Sequence, residues 1–244
     1  MQLIDLLLQH RSIRKFTSRT INRDLLERIL LAGQAAATSS FSQAYSLVRI
    51  TDIHLRRKLS ELSGNQAYVA DCAEFFVCCA DLARNQVICQ QAGISADPGY
   101  MEQLIIATVD TSLMAQNMVI AAESEGLGTC YIGGIRNNPQ QVSDLLNLPD
   151  FVYPVFGLCL GYPAHNPETK PRLPRSVWVK ENCYHQTIFD KQLEEYDKAV
   201  SEYYKTRTGN RKSISWTEQM QNFLAKESRP HMLKFLQSRG LARY

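Results

Sequence analysis

The chain has 244 residues, is 45% hydrophobic and 21% charged, and carries a formal net charge of +3. This is the composition of a folded globular protein rather than a disordered one, and the charge is too small for a nucleic-acid-binding face. The length suits one large domain, or a compact core with an accessory segment. From the amino end, "QLIDLLLQ" (2–9) reads as a short apolar helix that stops at "HRSIRKF" (10–16). Asn22 is placed to cap a helix that gathers Leu25, Leu26, Ile29 and Leu30 on one face and dissolves into Thr38, Ser39 and Ser40. "AYSLVRIT" reads as a strand, and Asp52 as the cap of a polar helix to about Leu62. "EFFVCCAD" (74–81), apolar almost throughout, reads as a central buried strand.

Residues 100 to about 125 form the longest expected helix, nearly apolar all round and closed by Gly126 and Gly128. Asp110, Gln116, Asn117 and Glu123 interrupt it, which favours a buried helix over a membrane span. A helix apolar on every side needs cover on every side, from its own core or from a second subunit. "TCYIGG" follows as a strand ending in Gly133 and Gly134, Asn138 and Pro139 offer a cap and first-turn pair, and "YPVFGLCLGYP" is another buried strand. Residues 164–176 are an extended connector rich in Pro, Lys and Arg. Polar helices are expected at about 190–206, 215–226 and 230–239, the last ended by Gly240. The expectation is a single domain over 1–244, with a core to about residue 163 and a helical extension from about 164.

Seven cysteines (72, 78, 79, 89, 130, 159 and 183) form no CxxC and fall mostly in apolar runs, so they read as reduced, buried small side chains. The five histidines are scattered without HExxH, which disfavours a metal site. With no signal-peptide pattern at residue 1, a cytoplasmic location is expected.

"HRSIRKF" sets His10, Arg11, Arg14 and Lys15 around Ser12. Cations after a helix complement its dipole, and the same cations suit a phosphate through charge-assisted bonds. "KPRLPR" places Lys170 and Arg172 two apart in a Pro-stiffened segment, on one side of an extended chain, although a solvated linker would look the same. Gly133 and Gly134 permit either a tight turn or close approach of backbone to a flat ligand. There is no GxGxxG opening a helix and no Walker A sequence, so a Rossmann or P-loop site is disfavoured. The hydroxyls and Phe41 of "ATSSFSQ", and Gln66 of "GNQAYV", become informative only in company.

In company they do. HRSIRKF, TSSF, GNQ, "VDTSLMAQNMVIAAESEGLGTCYIGGIRN", "PVFGLCLGYP", KPRLPR and "KESRP" occur in one order. From about residue 3 to 240 this set resembles the oxygen-insensitive NADPH nitroreductases and flavin reductase P-like group of the FMN-dependent nitroreductase family. The resemblance implies an α+β fold, with a mixed, largely antiparallel sheet flanked by helices. It also implies a homodimer with FMN at the subunit interface and C-terminal helices embracing the partner. By that resemblance His10, Arg11, Ser12, Lys170 and Arg172 hold the FMN phosphate, and Arg14 faces the N1–C2 carbonyl edge of the flavin. Gln66 bonds the polar edge of the ring, Thr38, Ser39 and Ile132 contact the cofactor region, and the backbone amides of Gly133 and Gly134 approach N5 and O4. Thr38 stands where the family usually has serine but keeps the hydroxyl. Ser40, Phe41 and Arg229 match the substrate side, and Arg207 and Arg211 match the region that pairs with the 2′-phosphate of NADPH. The implied activity is two-electron ping-pong reduction of small-molecule acceptors (nitroaromatics, quinones or free flavin) at FMN, with no catalytic side chain and no metal. Two alternatives stay open: a flavin reductase that supplies a partner, and a flavin-binding sensor or storage protein with little turnover. An insertion-like segment at 90–101 is expected to alter the pocket rim.

Overall fold

The computed structural model describes residues 2–185 and 190–244. In chain order the elements are α1 (Leu3–Leu8), α2 (Arg23–Gln34), β1 (Tyr45–Ile50), α3 (Ile53–Leu62), α4 (Tyr68–Asp71), β2 (Glu74–Asp81), α5 (Ala83–Gln91) and α6 (Met101–Ser124). They continue with β3 (Gly128–Ile132), α7 (Pro139–Leu145), β4 (Val152–Gly161), α8 (Arg175–Trp178), α9 (Asp190–Thr206), α10 (Trp216–Leu224) and α11 (Met232–Ser238). The chain divides into two compact units. The first is Ser12–His165 with α1 and Arg229–Tyr244, and the second is Asn166–Ser228 with Gln9–Arg11.

The first unit is built on a four-stranded sheet of order β1-β2-β4-β3, each neighbouring pair antiparallel. The parallel component is a single bridge, Ser12 to Thr129, which lays the HRSIRKF segment alongside β3. β2 is buried at every residue because alternate side chains enter different cores. Phe75, Val77 and Cys79 meet Leu59, Leu62, Val69 and Val142 on one face; Phe76 and Cys78 meet Leu26, Ile29, Met114 and Met118 on the other. The register slips between Cys78, opposite Phe156, and Cys79, opposite Pro154. The bulge accommodates a proline inside a central strand, where its missing N–H would otherwise break the ladder.

Local sequence chemistry sets the helix starts. The Asn22 side chain accepts from Asp24 N–H at 2.8 Å, and Asp52 from His54 and Leu55 N–H at 2.6 and 3.2 Å. Asn138 departs from expectation: Pro139 does open α7, but the Asn138 side chain makes no cap and donates instead to the Leu62 carbonyl at 2.8 Å. α6 is long and apolar enough to cross a membrane by length and composition, yet its inner face is core. Leu104, Ala107, Met114, Met118 and Ala122 are buried, and α2 crosses so closely that a Cβ on Gly33 would come within 2.6 Å of Met118 Cγ. The opposite face leaves Ile105, Val109 and Leu113, one helical turn apart, exposed.

Three short helices, α4, α5 and α8, carry no strong periodicity and go beyond the sequence reading. The segment after α5, residues 92–100, has a definite packing role. It docks the end of the chain: Arg243 pairs with Asp97, Arg243 N–H donates to Gly99 O at 2.8 Å, and Met101 N–H to Tyr244 O at 3.0 Å. α11, Leu241 and Ala242 close the same region against Leu104, Tyr153 and Val155.

The second unit centres on Tyr196, Val200 and Tyr204 of α9, packed with Leu173, Ile214 and Trp216. Ser215 accepts from Glu218 N–H at 3.1 Å and starts α10. All seven cysteines are unpaired, and burial pushes the thiols of Cys78 and Cys79 up, the latter to about 12. Both are inert as nucleophiles.

Arg56, buried on α3, donates to the carbonyls of Ile50 (2.7 Å), Cys72 (2.6 Å) and Ala73 (3.1 Å). Each buried carbonyl left without a donor costs about 1–3 kcal/mol. Arg56→Met is therefore expected to lower stability by about 3 kcal/mol or more in urea unfolding; a change under about 1 kcal/mol would show that water takes over these carbonyls.

Candidate functional site

In the first unit, Ile13 N–H donates to Thr129 O at 2.8 Å, and Ile13 packs where a Cβ on Gly128 would sit, 2.5 Å from its Cγ1. Ser12 is thereby fixed against β3, and Arg14 emerges exposed beside the Tyr68 hydroxyl and the Cys130 thiol. Burial raises the pKa of Tyr68 and of Cys130, and in both cases the Arg14 charge opposes the shift. The Tyr68 hydroxyl donates to Gln66 Oε1, and Gln66 Nε2 donates to Ser63 O at 2.5 Å. Arg14, Tyr68 and Gln66 thus form one polar chain next to the end of β3.

The two glycines there differ. A Cβ on Gly134 would collide with the Ser63 carbonyl and come within 2.5 Å of Gln66 Nε2, so the protein itself requires glycine at 134. A Cβ on Gly133 would meet only Arg136 Nη2, at 3.8 Å, and its φ lies outside the left-handed range. Neither packing nor backbone conformation demands glycine at 133. Ile132, one residue earlier, is fully buried.

Thr38, Ser39, Ser40 and Phe41 form one loop. Ser40 (φ 49°), Phe41 (φ 56°) and Gln43 (φ 49°) are left-handed, and Phe41 is 81% exposed. Thr38 Oγ1 accepts from Gln43 N–H at 3.4 Å. The loop is anchored on Asp110 of α6, which the sequence reading treated only as an interruption of an apolar helix. Arg84 crosses the far side, donating to Gln43 O and Tyr45 O, each at 3.2 Å. Burial, and then the Asp110 charge, raise the Tyr45 hydroxyl against the opposing Arg84. A cavity of about 500 Å³ lies between this loop and α5, lined by Phe41, Gln43, Arg84, Ile88 and Cys89.

Arg229 (φ 53°) donates from Nε to Asn137 Oδ1 at 3.0 Å. It stands near Arg136, a residue the sequence reading passed over although it follows the two glycines. Arg136 donates to Val155 O, and burial, then the Arg229 charge, lower its pKa.

In the second unit, Gln9–Arg11 cluster with Asn166–Ser228, which puts His10 and Arg11 in the same unit as Lys170 and Arg172. Lys170 Nζ lies 5.1 Å from the Tyr204 ring centre, and the Arg172 charge bears on Tyr196, so both cations lie along the same face of α9. Arg207 stacks 4.5 Å over the Tyr204 ring and donates to Asn210 O, while Arg211 Nε donates to Arg207 O at 3.3 Å. Glu168 accepts from Thr208 N–H at 3.2 Å and from its hydroxyl at 3.1 Å. Its own backbone N–H, these Thr208 bonds and the Arg207 charge hold its carboxyl below the usual range. Among the described residues, Arg11, Arg14, Lys170, Arg172 and Arg207 have no carboxylate within ion-pair distance, and no cluster suits a metal ion. Unneutralised cations of this kind suit an anionic ligand.

Residues 7–162 match the nitroreductase family, and residues 170–244 match the nitroreductase family, C-terminal domain. The chain is 47% identical over 239 residues to an oxygen-insensitive NADPH nitroreductase of Salmonella typhimurium, covering 98% of each chain. It is 46% identical over 240 residues to an NADPH-flavin oxidoreductase of Vibrio harveyi, again over 98% of each. The structure of the Vibrio harveyi NADPH:FMN oxidoreductase complexed with NAD+ superposes with a TM-score of 0.90 at 44% identity, over 99% of both chains. With the matched segments spanning nearly its whole length, this chain belongs to the nitroreductase family.

Proposed function

We propose that this protein is an FMN-dependent NADPH oxidoreductase that reduces nitroaromatics, quinones or free flavin by two-electron transfer. The observation that carries the reading is the end of β3, where Gly133, a glycine that neither packing nor backbone conformation requires, lies beside the Arg14–Tyr68–Gln66 chain. FMN, when bound, supplies the hydride-carrying ring between NADPH and the acceptor. His10, Arg11, Ser12, Lys170 and Arg172 hold its phosphate through charge-assisted bonds. Arg14 sits at the polar edge of the ring, where a cation favours the electron-rich state and raises the reduction potential. Gln66 and the backbone of Gly133 and Gly134 orient the ring, with Ile132, Thr38 and Ser39 against it. Ser40, Phe41 and Arg229 border the acceptor, and Arg207 with Arg211 takes the 2′-phosphate of NADPH. The chain supplies binding and orientation; the reaction needs no side-chain nucleophile or metal.

The working form is a homodimer, supported by the exposed Ile105, Val109 and Leu113 stripe on α6. Its partners are a second copy of the chain and small-molecule acceptors, not nucleic acid or membrane. A cytoplasmic location accords with the unpaired cysteines.

The first test is the anaerobic visible spectrum of the purified protein. A flavin band that bleaches on adding NADPH is expected; no flavin after incubation with FMN would overturn the reading, and flavin without bleaching would favour a sensor or storage role. Arg207→Ala is expected to weaken NADPH use about tenfold to a hundredfold more than NADH use, the value of a charge-assisted bond to phosphate. An equal loss with both nucleotides would remove Arg207 from that role. Val109→Glu, placing a charge on the α6 stripe, is expected to yield a monomer by light scattering, and an undisturbed dimer would put the interface elsewhere.

A further inference from the structure

We propose that Asp110 is the positioning residue of the acceptor-side loop, holding Ser40 and Phe41 in a strained conformation that fixes how an acceptor sits. This rests on the reading of Ser40 and Phe41 as acceptor-side residues. Asp110 is fully buried in the middle of α6, and all the hydrogen bonds to its carboxylate come from one loop. Oδ1 accepts from Ser39 N–H at 3.0 Å; Oδ2 accepts from the Ser42 hydroxyl at 2.9 Å and from Ala44 N–H at 3.2 Å. Among the described residues no cation lies within ion-pair distance of it. A buried carboxylate without a counterion is tolerated only through such donors, so this group and the loop depend on each other.

Between the donors the backbone turns left-handed at Ser40, Phe41 and Gln43, none of them glycine. Left-handed backbone at residues with a Cβ persists only where the surroundings impose it. The Phe41 ring stands 81% exposed. Its own burial therefore does not hold it there, and the anchor beneath the loop does. The Arg14–Tyr68–Gln66 chain is a separate network, so a change at Asp110 acts on the acceptor contacts and not on that edge of the site.

The test is Asp110→Asn in the flavin-loaded enzyme. Asparagine has one acceptor oxygen where aspartate has two, so its NH2 group must oppose a backbone donor, either Ser39 N–H or Ala44 N–H, while the Ser42 hydroxyl can turn and accept. With FMN held saturating, because Ser39 borders the ring on the same reading, the expected result is a retained flavin spectrum, NADPH bleaching within about twofold of the parent, and an acceptor KM raised about tenfold with kcat little changed. Amide exchange at Ser39 and Ala44 should quicken. Adding Gln43→Gly should recover about threefold of the lost affinity, because glycine adopts the left-handed conformation without strain. A role confined to helix packing would not respond to that glycine.

An unchanged acceptor KM with unchanged exchange would overturn the proposal, as would equal losses in bleaching and acceptor use without rescue. Should Asp110→Asn fail to fold, Ser42→Ala removes one donor and keeps the carboxylate; a KM increase of about threefold supports the proposal, and none overturns it. A parent protein that binds no flavin would sink the functional reading, while amide exchange still reports whether Asp110 holds the loop.

Discussion

Burial of β2 and β4 on both faces dictates where chemistry can occur in the first unit. Every residue of β2 and all but Phe156 of β4 are buried, so the central strands offer no surface to a polar ligand. Polar contacts must come from strand ends and connections: the 12–16 segment, the 63–66 turn, the 38–44 loop and the end of β3. Small residues then decide how closely these pieces meet. Gly128 admits Ile13, Gly157 admits the Phe75 ring, which would lie 2.6 Å from a Cβ there, and Gly134 admits the Ser63 carbonyl. Replacing any of them would move a site element before it touched a ligand.

Two buried charges fasten this frame, and among the described residues neither has a counterion within ion-pair distance. Arg56 spends its donors on three backbone carbonyls, and Asp110 accepts from two backbone N–H groups and a hydroxyl. An isolated buried ion is very costly, and several charge-assisted hydrogen bonds together offset that cost. Each charge therefore acts as a clamp whose removal is felt at every group it binds. Arg56 ties the end of β1 to the turn before β2, and Asp110 ties the 38–44 loop to α6.

Much of this was legible because it is local. Asn22 and Asp52 cap as their side chains dictate, and the unbroken apolar run of β2 reads as a two-sided buried strand. What escaped depends on residues far apart in sequence. Asp110 is recognisable as a clamp only once residues 39–44 lie above it, and Asn138 reaches for Leu62 rather than its own helix. α5 buries no residue, so no apolar period announces it. Gly133 and Gly134 are indistinguishable as letters, yet Gly134 is required by the Ser63 carbonyl while a side chain at 133 would meet only Arg136 Nη2, at ordinary contact distance. The cation clusters were ambiguous singly; their shared order along the chain gave them meaning, and contacts with Tyr68, Tyr204 and Asn210 now show how each is held.

Tyr204 shows how a cation can be held and still remain available. Its ring lies 5.1 Å from Lys170 Nζ and 4.5 Å from the Arg207 guanidinium, and its hydroxyl is fixed by donating to Gln219 Oε1 at 3.0 Å. An aromatic face attracts a cation without neutralising it, so an arriving phosphate need not displace a carboxylate. Glu168 breaks the symmetry between the two. Its carboxylate grips the Thr208 turn and lies close enough for the Arg207 charge to lower its pKa. Glu168 is fully exposed, so water screens most of the repulsion it would exert on a phosphate at Arg207. On the proposed assignment, Lys170 serves a cofactor that stays bound while Arg207 serves a coenzyme that must leave on every cycle.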